Sequence, residues 1–232
     1  MISESAIAGS RLYACLPTTR YNSGLVADWV TISALATAGG TLVLAGTTYA
    51  SVRSANRAAR VAETSLLAGL RPLLMQSAPD DRTLDAGFMD SVTVSVPGGG
   101  AGVEIVDGRV YLAISLRNVG PGIGVLHGGH VYSGRRMASD ERAPLEEFRM
   151  LSRDLYIPPG KIGFWQVAYR EEDAGREELL EAVRAGRFTI DLLYGDYEGG
   201  QRVVSRFGVF REGDTWTLSV VRHWQIDRPN PR

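Results

Sequence analysis

The chain has 232 residues, a formal net charge of −1 and a single cysteine. Beyond any anchor or tail, that length holds one ordinary globular domain. The balanced charge excludes a dedicated nucleic-acid binder, which needs a strongly basic face, and the lone Cys15 excludes an intramolecular disulfide and fits a reducing compartment. Lys161 is the only lysine, so nearly all positive charge is arginine, which reads as compositional bias rather than phosphate recognition.

Residues 1–28 read as a disordered tail. Leu12-Tyr13-Ala14-Cys15 looks like the end of a lipoprotein signal, but Glu4 lies early and Arg11 directly precedes it. A lipoprotein signal instead needs a basic start followed by an apolar run. Next, from Trp29 to Val52, comes WVTISALATAGGTLVLAGTTYASV without one charged residue. As a helix this stretch rises about 36 Å at 1.5 Å per residue, enough to cross a hydrocarbon core of about 30 Å with some tilt. Three glycines and seven Ser or Thr residues dilute its hydropathy, although hydroxyls in spans bond back to helix carbonyls. Asp28 is placed to cap the helix start. Trp29 and Tyr49 sit near its ends, where amphipathic rings favour the interface. The residues before it are too many for a cleaved signal. The expectation is therefore a transmembrane helix over 29–52, ahead of a buried helix of a soluble protein or a cleaved signal.

Arg53, Arg57 and Arg60 follow the span, against Arg11 and Arg20 before it, so the C-terminal side is expected in the cytoplasm of a single-pass cell-membrane protein. Ala36 and Gly40 form a small-xxx-small pair. Residues 53–71 read as a juxtamembrane linking helix of Ala, Arg, Leu and Glu. Val52, Ala55, Ala59, Ala62 and Leu66 make a short heptad seam, which with the span offers a homodimer face. Packing on its own domain is the plainer reading. Gly69 and Arg71-Pro72 end the helix.

From Pro72 the period changes to that of strands. Leu73–Gln76, Ser91–Val96, Val103–Val106, Arg109–Leu116 and the stretch around VLHGGHVY read as strands. Asp107-Gly108 is a two-residue hairpin signal. Gly98–Gly102 reads as a flexible loop. Gly120, Gly122 and Gly124 in RNVGPGIGVL do not open a helix, so a phosphate loop is rejected in favour of a turn or bulge with positive φ. Ala143–Leu151 is expected as a short helix and Asp173–Ala185 as a clearer one. Lys161–Tyr169, Arg187–Tyr194, Arg202–Phe210 and Thr215–His223 are further strands. About eight strands with turn signals predict a mainly β fold: an antiparallel, immunoglobulin-like β-sandwich over 72–224 with one or two short helices, and a disordered tail over 225–232.

One span, an ANRAARVAETSLLAGLRPLL helix and a LRNVGPGIG motif in a β-domain resemble a widespread group of uncharacterised bacterial, actinobacterial-type, single-span membrane proteins with a C-terminal β-sandwich domain. The resemblance runs from about Trp29 to Val221. It implies an anchored β-domain and no activity.

Candidate chemistry is thin. His127, His130 and His223 are the only histidines, and three can make a zinc site. An odd offset on a strand, however, sends His127 and His130 to opposite faces. Asp191, Asp196 and Glu198 offer paired carboxylates, or simply solvated strand and turn positions. Glu171-Glu172-Asp173 complements a helix start. No G-x-S-x-G occurs. Trp165, Trp216, Trp224, Tyr194 and Tyr197 suit a ligand face or, more simply, core. No catalytic, metal-ligating or cofactor-binding residue is assigned, and no cofactor is implied. The expectation is a membrane-anchored, non-enzymatic β-sandwich that binds an unknown protein or assembles with itself. The alternatives are a metal-binding module or metal-dependent enzyme using the three histidines, and an exported glycan-binding domain.

Overall fold

The structure, a computed structural model, describes residues 23–227. The chain divides into two units, Met1–Ala59 and Arg60–Arg232. Helix α1 runs unbroken over Ser23–Leu70, so the expected span and linking helix are one element. It begins before Asp28, which lies inside the helix rather than capping it, and Ser23 to Ala27 are helical rather than tail. Residues 1–22 of that expected tail lie outside the described residues. Residues 28–66 are exposed throughout, including Trp29, Val30, Ile32, Leu35, Leu42, Val43, Leu44 and Tyr49. Its hydroxyls bond back to helix carbonyls: Ser33 Oγ donates to Val30 O at 2.9 Å, Thr37 Oγ1 to Ser33 O at 2.9 Å and Thr41 Oγ1 to Thr37 O at 2.9 Å. α1 is the one helix among the described residues long and apolar enough to cross a membrane.

The β-domain follows. Its strands are β1 (Leu74–Gln76), β2 (Leu84–Gly87), β3 (Thr93–Val96), β4 (Gly100–Val106), β5 (Arg109–Asn118) and β6 (Gly124–Ser133). After them come β7 (Arg149–Ile157), β8 (Ile162–Tyr169), β9 (Arg187–Gly195), β10 (Val203–Glu212) and β11 (Thr215–Gln225), with helix α2 (Arg176–Arg184) between β8 and β9. All pairings are antiparallel. β8, β5, β4 and β1 form one layer, and β11, β10, β9, β6 and β7 form the other. Among the described residues, strand pairing joins them only at Trp216↔Ala101 and Thr217↔Gly100. The result is sandwich-like, and α2 is the cross-connection between layers. Asp107 (φ 50°) and Gly108 (φ 72°) form the tight β4–β5 turn.

Alternation explains the core. Val110, Leu112, Ile114 and Leu116 of β5 face Phe188, Ile190, Leu192 and Tyr194 of β9, with Leu179, Leu180 and Val183 of α2 closing one end. The other faces of β5 and β9 are covered as well. The β2–β3 hairpin packs Ala86 and Val96 on Ala113. The segment after β6 brings Ala143 and Phe148 over Leu193, Val204 and Trp224.

Several expectations need correction. Gly100 to Gly102 are not a flexible loop but the start of β4; a Cβ at Gly102 would overlap Ser95 and Val94 of β3. Ala143–Leu151 is not a helix: a three-residue 3₁₀ turn at Leu145–Glu147 leads into strand β7. Gln225 ends β11, Ile226 donates its N–H to Arg202 O at 3.0 Å, and Asp227 pairs with Arg202 at 2.7 Å, so these three are not tail. Residues 228–232 lie outside the described residues.

Candidate functional site

The alternate glycines of RNVGPGIG do not carry positive φ. Their role is close approach. A Cβ on Gly120 would overlap the backbone of Arg71 and Leu73, and one on Gly122 would overlap Leu70. Within the unit Arg60–Arg232, this segment is the seat for the last turn of α1 and the strand entry after it. Asn118, fully buried, organises the seat. Its Oδ1 accepts from Leu73 N at 3.2 Å and Gly120 N at 3.0 Å, and its Nδ2 donates to Gly122 O at 2.7 Å and Ile157 O at 2.8 Å. All four capacities of the amide are met. Gln201 adds a second tie, donating from Nε2 to Leu67 O at 2.7 Å and to Asp196 Oδ2 at 3.1 Å.

A polar chain runs beside the seat. Leu74 N donates to Tyr194 OH at 3.2 Å, Tyr194 OH meets Ser205 Oγ at 2.9 Å, and Ser205 Oγ meets His223 Nδ1 at 2.5 Å. Ser205 and His223 have the spacing of a nucleophile and its base. Yet Ser205 is fully buried, and its hydroxyl is also bonded to Tyr194 OH. Burial, then the nearby Arg71 charge, holds His223 below its ordinary value of 6.5. A depressed folded value means the unfolded chain takes the proton first. This contribution to stability is therefore complete above pH 6.5 and is lost as pH falls through the folded value. Denaturation midpoints of the wild type are expected to drop between pH 7.5 and 5.5 more than those of His223→Gln; equal drops would show that His223 plays no part.

The deepest charge lies on the outer face of β9 and β10. Asp191 and Arg206 are both fully buried and joined by two bonds, from Nε to Oδ1 at 2.7 Å and from Nη2 to Oδ2 at 2.8 Å. Arg206 also donates to Met137 O at 2.9 Å, Asp140 O at 3.1 Å and Glu141 O at 3.0 Å. Its guanidinium lies 4.9 Å from the Trp224 ring centroid and 5.4 Å from that of Tyr132. Tyr132 OH donates to Asp191 Oδ2 at 2.9 Å, and burial, then the Asp191 charge, pushes its pKa up to about 12. Burial works against the guanidinium's charge, but the bonds and charge of Asp191 outweigh it and raise the pKa of Arg206. This cluster fastens residues 137–141 over the sheet. Thr189 extends the fastening: its Oγ1 donates to Gly134 O at 2.9 Å and accepts from Arg136 N at 3.0 Å.

The sequence-selected residues scatter. His127 sits at a register shift in β6, His130 Nδ1 lies 3.1 Å from Glu147 O, and His223 joins Ser205. Among the described residues no group of three or more His, Cys, Asp or Glu is placed to hold a metal. Asp191 is not a solvated strand position but the buried partner of Arg206, and Asp196 is buried and caps Gly200 N at 2.8 Å. Glu198 is exposed in the turn. Trp165, Trp224 and Tyr194 are core, Trp216 is half-buried and Tyr197 is exposed. Sequence reasoning missed Asn118, Gln201, Ser205 and Arg206. The odd number of residues separating the glycines of RNVGPGIG was a visible signal for close approach; the rest needed the tertiary cover.

Comparison with protein-family models, with curated proteins and with solved structures found no significant match for this chain.

Proposed function

We propose that the chain is a single-pass membrane protein whose immunoglobulin-like β-sandwich is a non-enzymatic module that binds another protein or assembles with itself. The observation that carries this reading is the exposed, uncharged face of α1 from Trp29 to Val52, whose side chains would be costly in water and are at home in lipid. The seat built by Asn118, Gly120 and Gly122 supports it, because it makes the end of that helix part of the β-domain's own packing. The arginines that follow the span favour a cytoplasmic β-domain. Val52, Ala55, Ala59, Ala62 and Leu66, all exposed, offer a seam for a second copy. The resemblance to anchored bacterial β-domain proteins points the same way.

Thiol labelling tests the side. Ser139 is exposed, so Cys15→Ser/Ser139→Cys carries one reporter thiol on the β-domain. In intact cells an impermeant maleimide is expected to leave it unlabelled and to label it after lysis. Labelling of intact cells would place the β-domain outside and favour the exported glycan-binding reading.

A further inference from the structure

We infer that the outer face of β9–β11 carries a docking recess for an acidic peptide segment of a partner protein, one that inserts an aromatic or branched aliphatic side chain between carboxylates. This deepens the proposed binding role and rests on it. The recess has a volume of about 390 Å³ and lies over Gly208 of β10. Phe210 and Val221 give it an apolar wall, and Arg135, Arg136 and Arg187 stand around it, with no carboxylate in its lining. None of these three guanidinium groups makes an ion pair among the described residues. The Arg136 guanidinium lies 4.8 Å from the Tyr132 ring centroid, and none of the three meets a counter-charge among the described residues, so an anion joining them would be favoured.

Gly208 is the second, independent observation. Glycine weakens the interior of a strand and marks a bulge, a bend or a close approach. Gly208 does not have positive φ, and a Cβ there would meet nothing nearer than Val221 at 3.7 Å. Gly102 and Gly129 are different: each is required by a neighbour that a Cβ would strike. Gly208 follows the register shift between Arg206 and Phe207 in the β10–β11 pairing, but no neighbour of a Cβ forbids a side chain there, and its missing side chain is what opens the recess. The rim is also preorganised. Thr189, paired with Gly208 across β9, brackets Gly134 to Arg136, and Arg206 anchors residues 137–141. The backbone carrying Arg135 and Arg136 is thus fixed before any ligand arrives, which lowers the entropic cost of binding. A free inorganic anion would leave the apolar wall unused, whereas a peptide side chain flanked by carboxylates meets both parts.

The test uses the full chain in phosphatidylcholine nanodiscs and calorimetry with the acetylated hexapeptide EELFEE, with KKLFKK and EEGGEE as controls. Saturable one-to-one binding of EELFEE alone is expected, weakening with salt. Gly208→Val, which fills the recess with a residue that suits a strand, and Arg187→Ala should each lower affinity about tenfold or more without lowering Tm. No binding of EELFEE, or binding unchanged by Gly208→Val, would overturn the inference. So would binding of phosphatidylglycerol vesicles, but not of EELFEE, that Gly208→Val abolishes. If in those cases the chain still pellets with membranes and retains a partner irrespective of Gly208→Val, the anchored-module reading stands without this recess.

Discussion

Arg206→Met is expected to destabilise the β-domain by about 3–5 kcal/mol, because it leaves Asp191 as an unpaired charge in a site closed to water. The loss is larger than one ion pair. The guanidinium supplies five bonds, two to the carboxylate and three to the carbonyls of Met137, Asp140 and Glu141. It is also flanked by Trp224 and Tyr132. Arg206→Lys keeps the charge but has no planar fork, so it is expected to recover little. Arg206→Met/Asp191→Leu removes the uncompensated carboxylate and should regain part of the loss, the remainder reflecting the carbonyls of Met137, Asp140 and Glu141, which lose the guanidinium donor, and the Tyr132 hydroxyl, which loses its acceptor. Denaturant unfolding of the full chain in detergent, followed through tryptophan fluorescence, measures all three. A loss under 1 kcal/mol for Arg206→Met would mean that the cluster is open to water.

Asn118→Leu is the second large effect, expected at about 3 kcal/mol or more. Four backbone groups lose their partner: the amides of Leu73 and Gly120 and the carbonyls of Gly122 and Ile157. Each buried group left unsatisfied costs about 1–3 kcal/mol before relaxation. Asn118→Asp is expected to be no better, since a carboxylate oxygen would then face the Gly122 and Ile157 carbonyls. Gly122→Ala should act at the same place through overlap with Leu70 rather than through lost bonds. Amide exchange separates a local from a global effect. Fast exchange at Leu73 and Val119, with β9 and β10 still protected, would show that the seat opens alone. Unchanged exchange at Leu73 would contradict its role.

Much of the β-domain was legible because period-two alternation is a direct consequence of strand geometry. The strands at Arg109–Leu116 and Arg187–Tyr194 followed from it, while the Asp107-Gly108 turn followed from turn chemistry and the stop of α1 from Gly69 and Pro72. The errors share a cause. Gly100 to Gly102 look flexible by composition, but Trp216 of β11 crowds Gly100 and β3 crowds Gly102 so closely that neither position has room for a Cβ. β7 was hidden because RMLSRDLYI mixes charge with apolar residues on an edge strand that needs little burial. Asp191 and Arg206 were illegible for the opposite reason. Charged residues on the outward face of a strand read as solvated, and only the segment that Arg206 itself draws across them makes them buried. For the site, single residues were visible, but their assembly depends on contacts such as Asn118 with Leu73 that are far apart in sequence.

Anchoring through residues 29–52 is the claim on which compartment and mode of action depend, and sedimentation of the full-length chain is its most direct test. The chain is expected in the pellet after high-speed centrifugation of lysed cells, to stay there through alkaline carbonate, and to move to the supernatant only with detergent. Appearance in the detergent-free supernatant, as a monodisperse species, would contradict it.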